Sequence, residues 1–118
     1  MCMETTDISL KEFKKVLERE IQSLKSSQYD HMIKEYWNND VSLRDIRSYQ
    51  KWALKKTIEF IEINYPFFAP DESALMFAGI MDNYACSSFP KSYIFSIAYD
   101  VSVWVADVYI GIKERRTT

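Results

Sequence analysis

Glycine and proline are nearly absent. Gly79, Gly111, Pro66, Pro70 and Pro90 are the complete set in a chain of 118 residues. Sandwiches and barrels need frequent tight turns, and those turns draw on Gly, Pro, Asn and Asp. So few of them leave room only for long elements joined by few loops, which predicts helices. Two glycines also exclude a glycine-rich phosphate cradle. No nucleophile elbow, His-Glu-x-x-His pair or calcium loop occurs either.

Cysteine and histidine are as sparse. Cys2 and Cys86 form no Cys-x-x-Cys pair, so a disulfide framework is excluded and a reducing compartment is expected. His31, in Tyr29-Asp30-His31-Met32, is the sole imidazole. Beside Asp30 it suits general-base chemistry, since imidazoles ordinarily titrate near neutrality. With no second histidine or suitably placed cysteine it makes no zinc site, and a helix-surface histidine is the expectation. The carboxylate pairs Glu59/Glu62 and Asp100/Asp107 suggest glycosidase or di-iron chemistry. The Glu-x-x-His elements of a di-iron centre are missing, however, and solvated or partner-facing acids explain these residues better. The expectation is a protein without catalytic residues, metal ligands or cofactor.

Targeting signals are missing too. Met1–Asp7 has no basic flank and no apolar h-region, which argues against a signal peptide and for the cytoplasm. The longest apolar segment, Tyr93–Ile112, approaches membrane-spanning length. Ser96, Asp100, Ser102 and Asp107 interrupt it, and two acids at mid-span are costly in lipid. It reads as a core helix, not a membrane anchor.

What the chain has is core material: 47% hydrophobic and 15% aromatic residues, enough for one domain spanning 1–118. Ser9 and Glu12 make a Ser-x-x-Glu capping box, and Leu10, Phe13, Val16, Leu17, Ile21 and Leu24 follow at helical spacing, predicting a helix from Ser9 to Leu24. A shorter helix is expected over Gln28–Trp37. A long one should run from the Ser42 cap to Asn64, with Leu43, Ile46, Tyr49, Trp52, Ala53, Ile58 and Ile61 on its apolar side. After the connector Tyr65–Pro70, Asp71 and Glu72 suit the positive end of a fourth helix. Leu75, Met76, Gly79, Ile80 and Tyr84 carry that helix to Tyr84 or Ala85.

In the last segment Val101, Val103 and Val105 alternate like a strand. Ile94, Ile97, Ala98, Val101, Trp104, Val105, Val108 and Ile112 instead fit a helical stripe. Twenty residues without a turn signal favour the helix. The expected fold is all-α, a bundle of four to five helices with the hydrophobic C-terminal helix near its centre.

Charge is unevenly placed. Residues 1–56 carry a net +2, residues 57–112 a net −6, and the last six residues a net +2. Between Thr57 and Ile112 the one cation is Lys91. Tyr65, Phe67, Phe68, Tyr84, Phe89, Tyr93, Tyr99 and Tyr109 lie in that same acidic half. Taken singly, each aromatic is more often core than contact. Interleaved with acids, they suit a protein-binding face, the rings supplying contact area and the acids steering a basic partner. They suit nucleic acid badly, because phosphates are repelled. Arg44, Arg47, Lys51, Lys55 and Lys56 form a basic strip on the third predicted helix, but Asp45 and Glu59 sit among them. A solvated face is its simpler reading.

The stretch from Tyr65-Pro66-Phe67-Phe68-Ala69-Pro70-Asp71-Glu72 through Met81-Asp82-Asn83-Tyr84 to Asp107 resembles bacterial toxin-immunity proteins. It is most similar in style to those of contact-dependent growth inhibition systems, and it covers about half the chain. The resemblance implies a tight one-to-one complex with a basic toxin domain, often a nuclease. The acids then mimic substrate phosphates in the toxin's active site or bind beside it. It implies Asp71, Glu72, Asp82 and Tyr84 as partner-binding residues, with Phe67 or Phe68 as apolar anchor. Asp100 and Asp107 are poorer candidates because their helix is central. Two other readings stand beside it: a helical adaptor using the strip from Arg44 to Lys56 on nucleic acid or another protein, and a carboxylate enzyme using Glu59 and Glu62 with iron or manganese.

Overall fold

A computed structural model of the chain describes residues 8–21, 43–87 and 92–117. The expected Gln28–Trp37 helix, the Ser42 cap, Leu24, His31, Cys2 and Phe89 lie outside them. Among the described residues there are four helices and no strand: α1 (Leu10–Glu20), α2 (Leu43–Asn64), α3 (Pro70–Ser87) and α4 (Ser92–Thr117). The fold is all-α, as the scarcity of turn residues requires. The valine alternation of Val101–Val105 lies inside a continuous helix.

The start of α1 follows its sequence signal. Ser9 is the N-cap, and its hydroxyl oxygen accepts from the Glu12 amide at 3.1 Å. The Glu12 carboxylate accepts from the Ser9 hydroxyl at 3.0 Å, an interaction with the cap's side chain. Phe13, Leu17 and Ile21 are buried, and Leu10 and Val16 pack against them from the edge. Phe13 meets Tyr109 of α4 edge-on at 5.1 Å between ring centroids, which fastens α1 to the last helix.

In α2 the core face is Ile46, Gln50, Ala53, Leu54, Thr57, Ile58 and Ile61. Positions 46, 50, 53, 57 and 61 advance by three or four residues and so share one side. Trp52 falls off that stripe and is 37% exposed, against the sequence expectation. The helix stops at Asn64, where the Tyr65 and Phe68 amides donate to the Ile61 and Asn64 carbonyls at 3.0 and 3.1 Å. The Asn64 side-chain amide donates to the Phe60 carbonyl at 2.8 Å. The first two bonds occupy carbonyls that a helix end otherwise leaves orphaned. The Tyr65–Pro66 peptide bond is cis.

Pro70 opens α3 at the first helical position, where its missing N–H is no loss. Ala69 therefore takes the cap position, and its amide donates to Glu72 Oε1 at 2.8 Å. This is the carboxylate half of a capping box without its serine. The inward face of α3 is Ser73, Ala74, Ala78 and Met81. These mostly small residues let α3 lie close along α4, and that pair forms the most extensive interface between described helices. The expected end near Tyr84 extends to Ser87.

At 26 residues α4 is the longest helix, and it contacts each of the other three. Ile97, Ala98, Val101, Val105 and Ile112 of the expected stripe are buried, joined by Ser102, Ala106 and Tyr109, whereas Ile94, Trp104 and Val108 are only half-buried, so the buried side is turned from the expected one. The span Ile94–Arg115 is long and apolar enough to cross a bilayer by length and composition. Within the protein 39% of its apolar window is buried. Thr57 and Ser102 meet across the α2–α4 contact at 3.0 Å, both wholly buried. Each hydroxyl also lies within hydrogen-bond reach of its own helix, Thr57 at 2.7 Å from the Ala53 carbonyl and Ser102 at 2.8 Å from the Ala98 carbonyl. Two hydroxyl protons serve three contacts, so one proton is shared.

Candidate interaction surface

Two surfaces carry more chemistry than a solvated helix face requires. The first is built by the connector after α2 and the outward side of α3. Phe67 is 86% exposed and Ile63, one turn earlier, 78%, the two most exposed large apolar side chains among the described residues. Tyr65 and Phe68 are exposed beside them, and along α3 so are Leu75, Met76, Ile80 and Tyr84. Successive residues of an α-helix are about 100° apart. Gly79 therefore lies opposite the buried Ala74–Met81 side. Asp71, Leu75 and Asp82 run along one flank of Gly79, and Met76 and Ile80 along the other.

The sequence-predicted candidates thus come together in part. Phe67, Phe68, Glu72, Asp82 and Tyr84 are exposed and Asp71 is half-buried, all on α3 or the turn that leads into it. Their roles differ. Glu72 is engaged by the Ala69 amide and serves the helix start first. The Tyr84 ring packs on Phe95 of α4 at 5.3 Å between centroids, so one side of it belongs to the fold. Among the described residues neither Asp71 nor Asp82 takes part in an ion pair, and the 34 residues from Thr57 to Pro90 contain no cation. Sequence reading took Leu75, Met76 and Ile80 as helix-forming residues and did not count them in the site. Only the packing of Ala74 and Ala78 inward shows that they face out.

The second surface is a cleft of about 510 Å³ between α1 and α2. Its floor is Ile21, Leu54 and Ile58. Lys14 and Glu18 of α1 and Lys51, Lys55, Glu59 and Glu62 of α2 stand at its rim. Of the five basic-strip residues only Lys51 and Lys55 line this cleft, and three glutamates share it. Lys56 points elsewhere and pairs with Glu59 at 3.4 Å. The Glu59/Glu62 pair has no third ligand, and no group of His, Cys, Asp and Glu that would hold a metal ion occurs among the described residues.

Of the acids in α4, Asp107 is exposed and Asp100 is half-buried. Desolvation pushes the Asp100 carboxyl up to about 6 from its ordinary 3.8. Neither lies on the α3 surface. Compared with protein-family models, curated proteins and solved structures, the chain matches none.

Proposed function

We propose that the protein is a cytoplasmic binding protein that neutralises a basic protein partner, in the manner of a toxin-immunity protein. The observation that carries the reading is the surface around α3. Exposed Phe67, Leu75, Met76 and Ile80 stand beside Asp71 and Asp82, in a stretch without a cation. Apolar side chains beside acids that form no ion pair among the described residues are what a desolvating contact with a cationic surface requires. The rings and aliphatics supply contact area, and the acids accelerate encounter and reject acidic partners. A nuclease domain, whose substrate site is basic, fits that surface, with the carboxylates standing where phosphates would lie.

The nucleic-acid reading of Arg44, Arg47, Lys51 and Lys55 is the weaker one. Glu18, Glu59 and Glu62 line the cleft that holds Lys51 and Lys55, so a phosphate brought there meets carboxylates.

The test uses the full chain, tagged and recovered from its own cells across a salt gradient, with bound proteins identified by mass spectrometry. The expected result is one basic protein in stoichiometric amount, whose toxicity on expression is relieved by this chain. A double variant, Asp71→Lys with Asp82→Lys, should slow its association about tenfold or more at low salt and little at high salt. Glu72 is left intact so that the α3 cap survives. Recovery of nucleic acid in place of protein, or an association rate indifferent to both reversals, overturns the reading.

A further inference from the structure

The outward face of α3 also carries a feature that the fold does not need. Gly79 sits in the interior of an 18-residue helix, where glycine is the poorest residue after proline. Its backbone is not in a left-handed conformation, and a Cβ built on it meets nothing within 4 Å. Neither turn geometry nor internal packing therefore asks for glycine. It lies at the midpoint of the exposed stripe, between Leu75 and Met76 one turn before and Ile80, Asp82 and Asn83 after. An uncalled-for glycine flanked by exposed aliphatics is the arrangement that lets another backbone come close, with side chains on either side closing over it.

We propose that Gly79 is the crossing point for a cationic amphipathic helix of the partner, which lays its apolar stripe over Leu75, Met76 and Ile80 and its basic residues along Asp71 and Asp82. This rests on the reading of the α3 surface given above and deepens it by naming the element that docks. A helix is favoured over a strand because α3 offers no open backbone edge for strand addition, whereas its side-chain pattern has the one-turn spacing that helix packing reads. A second copy of this chain is disfavoured as occupant. Residues 70–87 hold Asp71, Glu72 and Asp82 and no cation, so two such faces would set acid against acid.

The probe is a synthetic 18-residue peptide of leucine and lysine, with leucines at helical spacing on one side. Its control has the same charge, with two prolines in place of central leucines. Both are titrated against the full chain and its Gly79→Ala and Gly79→Leu variants. Either variant should fold, with the alanine midpoint raised by about 3–6 °C as a helix-interior glycine is removed. Peptide affinity should fall by a few-fold for alanine and about tenfold or more for leucine, the effect of overfilling a close contact. The proline control should bind about tenfold more weakly than the helical peptide.

Equal binding by the leucine variant, equal binding of the control peptide, or a leucine variant that loses its fold would each overturn the crossing-point proposal. Reversal of Asp71 and Asp82 separates the two readings. If it weakens the helical peptide while Gly79→Leu does not, the acidic docking surface stands and the glycine contact falls. If neither matters, both fall.

Discussion

Asp100 should make the protein less stable at neutral pH than its packing allows. Burial holds its carboxyl at about 6 in the fold, against 3.8 when solvated. Between those values the folded chain binds more protons than the unfolded one, so the stability from this group falls as pH rises. Its contribution is fully present below pH 4 and lost as pH climbs through 6. A full shift of that size corresponds to about 3 kcal/mol at pH 7, and partial solvation of the side chain reduces this to about 1–3 kcal/mol.

Asp100→Asn removes the titration while keeping size and a similar helix propensity. Urea denaturation of the wild type and the variant should be compared from pH 3.5 to 7.5. The variant is expected to be more stable by about 1–3 kcal/mol at pH 7, by about half that at pH 5, and by nothing at pH 3.5. Acids elsewhere give both proteins a common pH dependence, so only the difference is diagnostic. A difference that stays constant across the range, or grows toward acid, would refute the argument that burial of this carboxyl opposes folding.

The Thr57–Ser102 contact predicts coupling between α2 and α4. Thr57→Val and Ser102→Ala should each cost about 1 kcal/mol in urea denaturation, with the double variant less costly than their sum by about 0.5–1 kcal/mol, because a proton already shared is lost once. Strict additivity would sink the bridge. Phe13→Ala, at a site 1% exposed and edge-on to Tyr109, should cost about 3–5 kcal/mol and release α1 first, read as faster amide exchange in residues 10–20. Glu72→Gln should lower stability by about 0.5–1 kcal/mol, since the Ala69 amide keeps an acceptor without the charge that suits a helix start. No change there would mean that the carboxylate's charge adds nothing at this helix start.

Which parts of this fold could be read in the sequence follows from how different the two sides of each helix are. In α1, lysines and glutamates alternate with Phe13, Leu17 and Ile21, so composition alone separates inside from outside. In α4, Ser96, Asp100, Asp107 and Gly111 fall away from the valine and isoleucine stripe, and most of the buried side follows. In α3 both sides are apolar, and polarity does not discriminate. The deciding variable is size: Ala74 and Ala78 go inward because the close contact with α4 has no room for Leu75 or Met76. Size becomes informative only once the neighbour is known.

The Trp52 and Thr57 exchange has a similar origin. A tryptophan reads as core and a threonine as surface until Ser102, 45 residues on, supplies the threonine's partner. The site was legible as an acidic, aromatic stretch. The assignment of Glu72 to a cap was readable in principle from Pro70, which fixes Ala69 as the cap position, but alanine gives no capping signal of its own.

Several departures from good folding practice in this chain gather on the outward side of α3. Leu75, Met76 and Ile80 face water, where lysine or glutamate would serve solubility and helix formation as well or better. Gly79 weakens the helix it interrupts. Asp71 and Asp82 sit in a sequence stretch, residues 57–90, that has no cation. These fall on one side of α3, whereas its opposite side holds one departure, Ser73, whose wholly buried hydroxyl has no hydrogen-bond partner among the described residues. When local rules are broken together and in one place, the compensation belongs to something outside the described helices. It also sets how binding should respond to salt. The carboxylates act at long range and are screened within about 8 Å at physiological ionic strength, whereas the apolar contact is not. Added salt should therefore slow association of the partner while leaving its dissociation rate nearly unchanged. A complex held by charge alone would instead fall apart faster as salt rises.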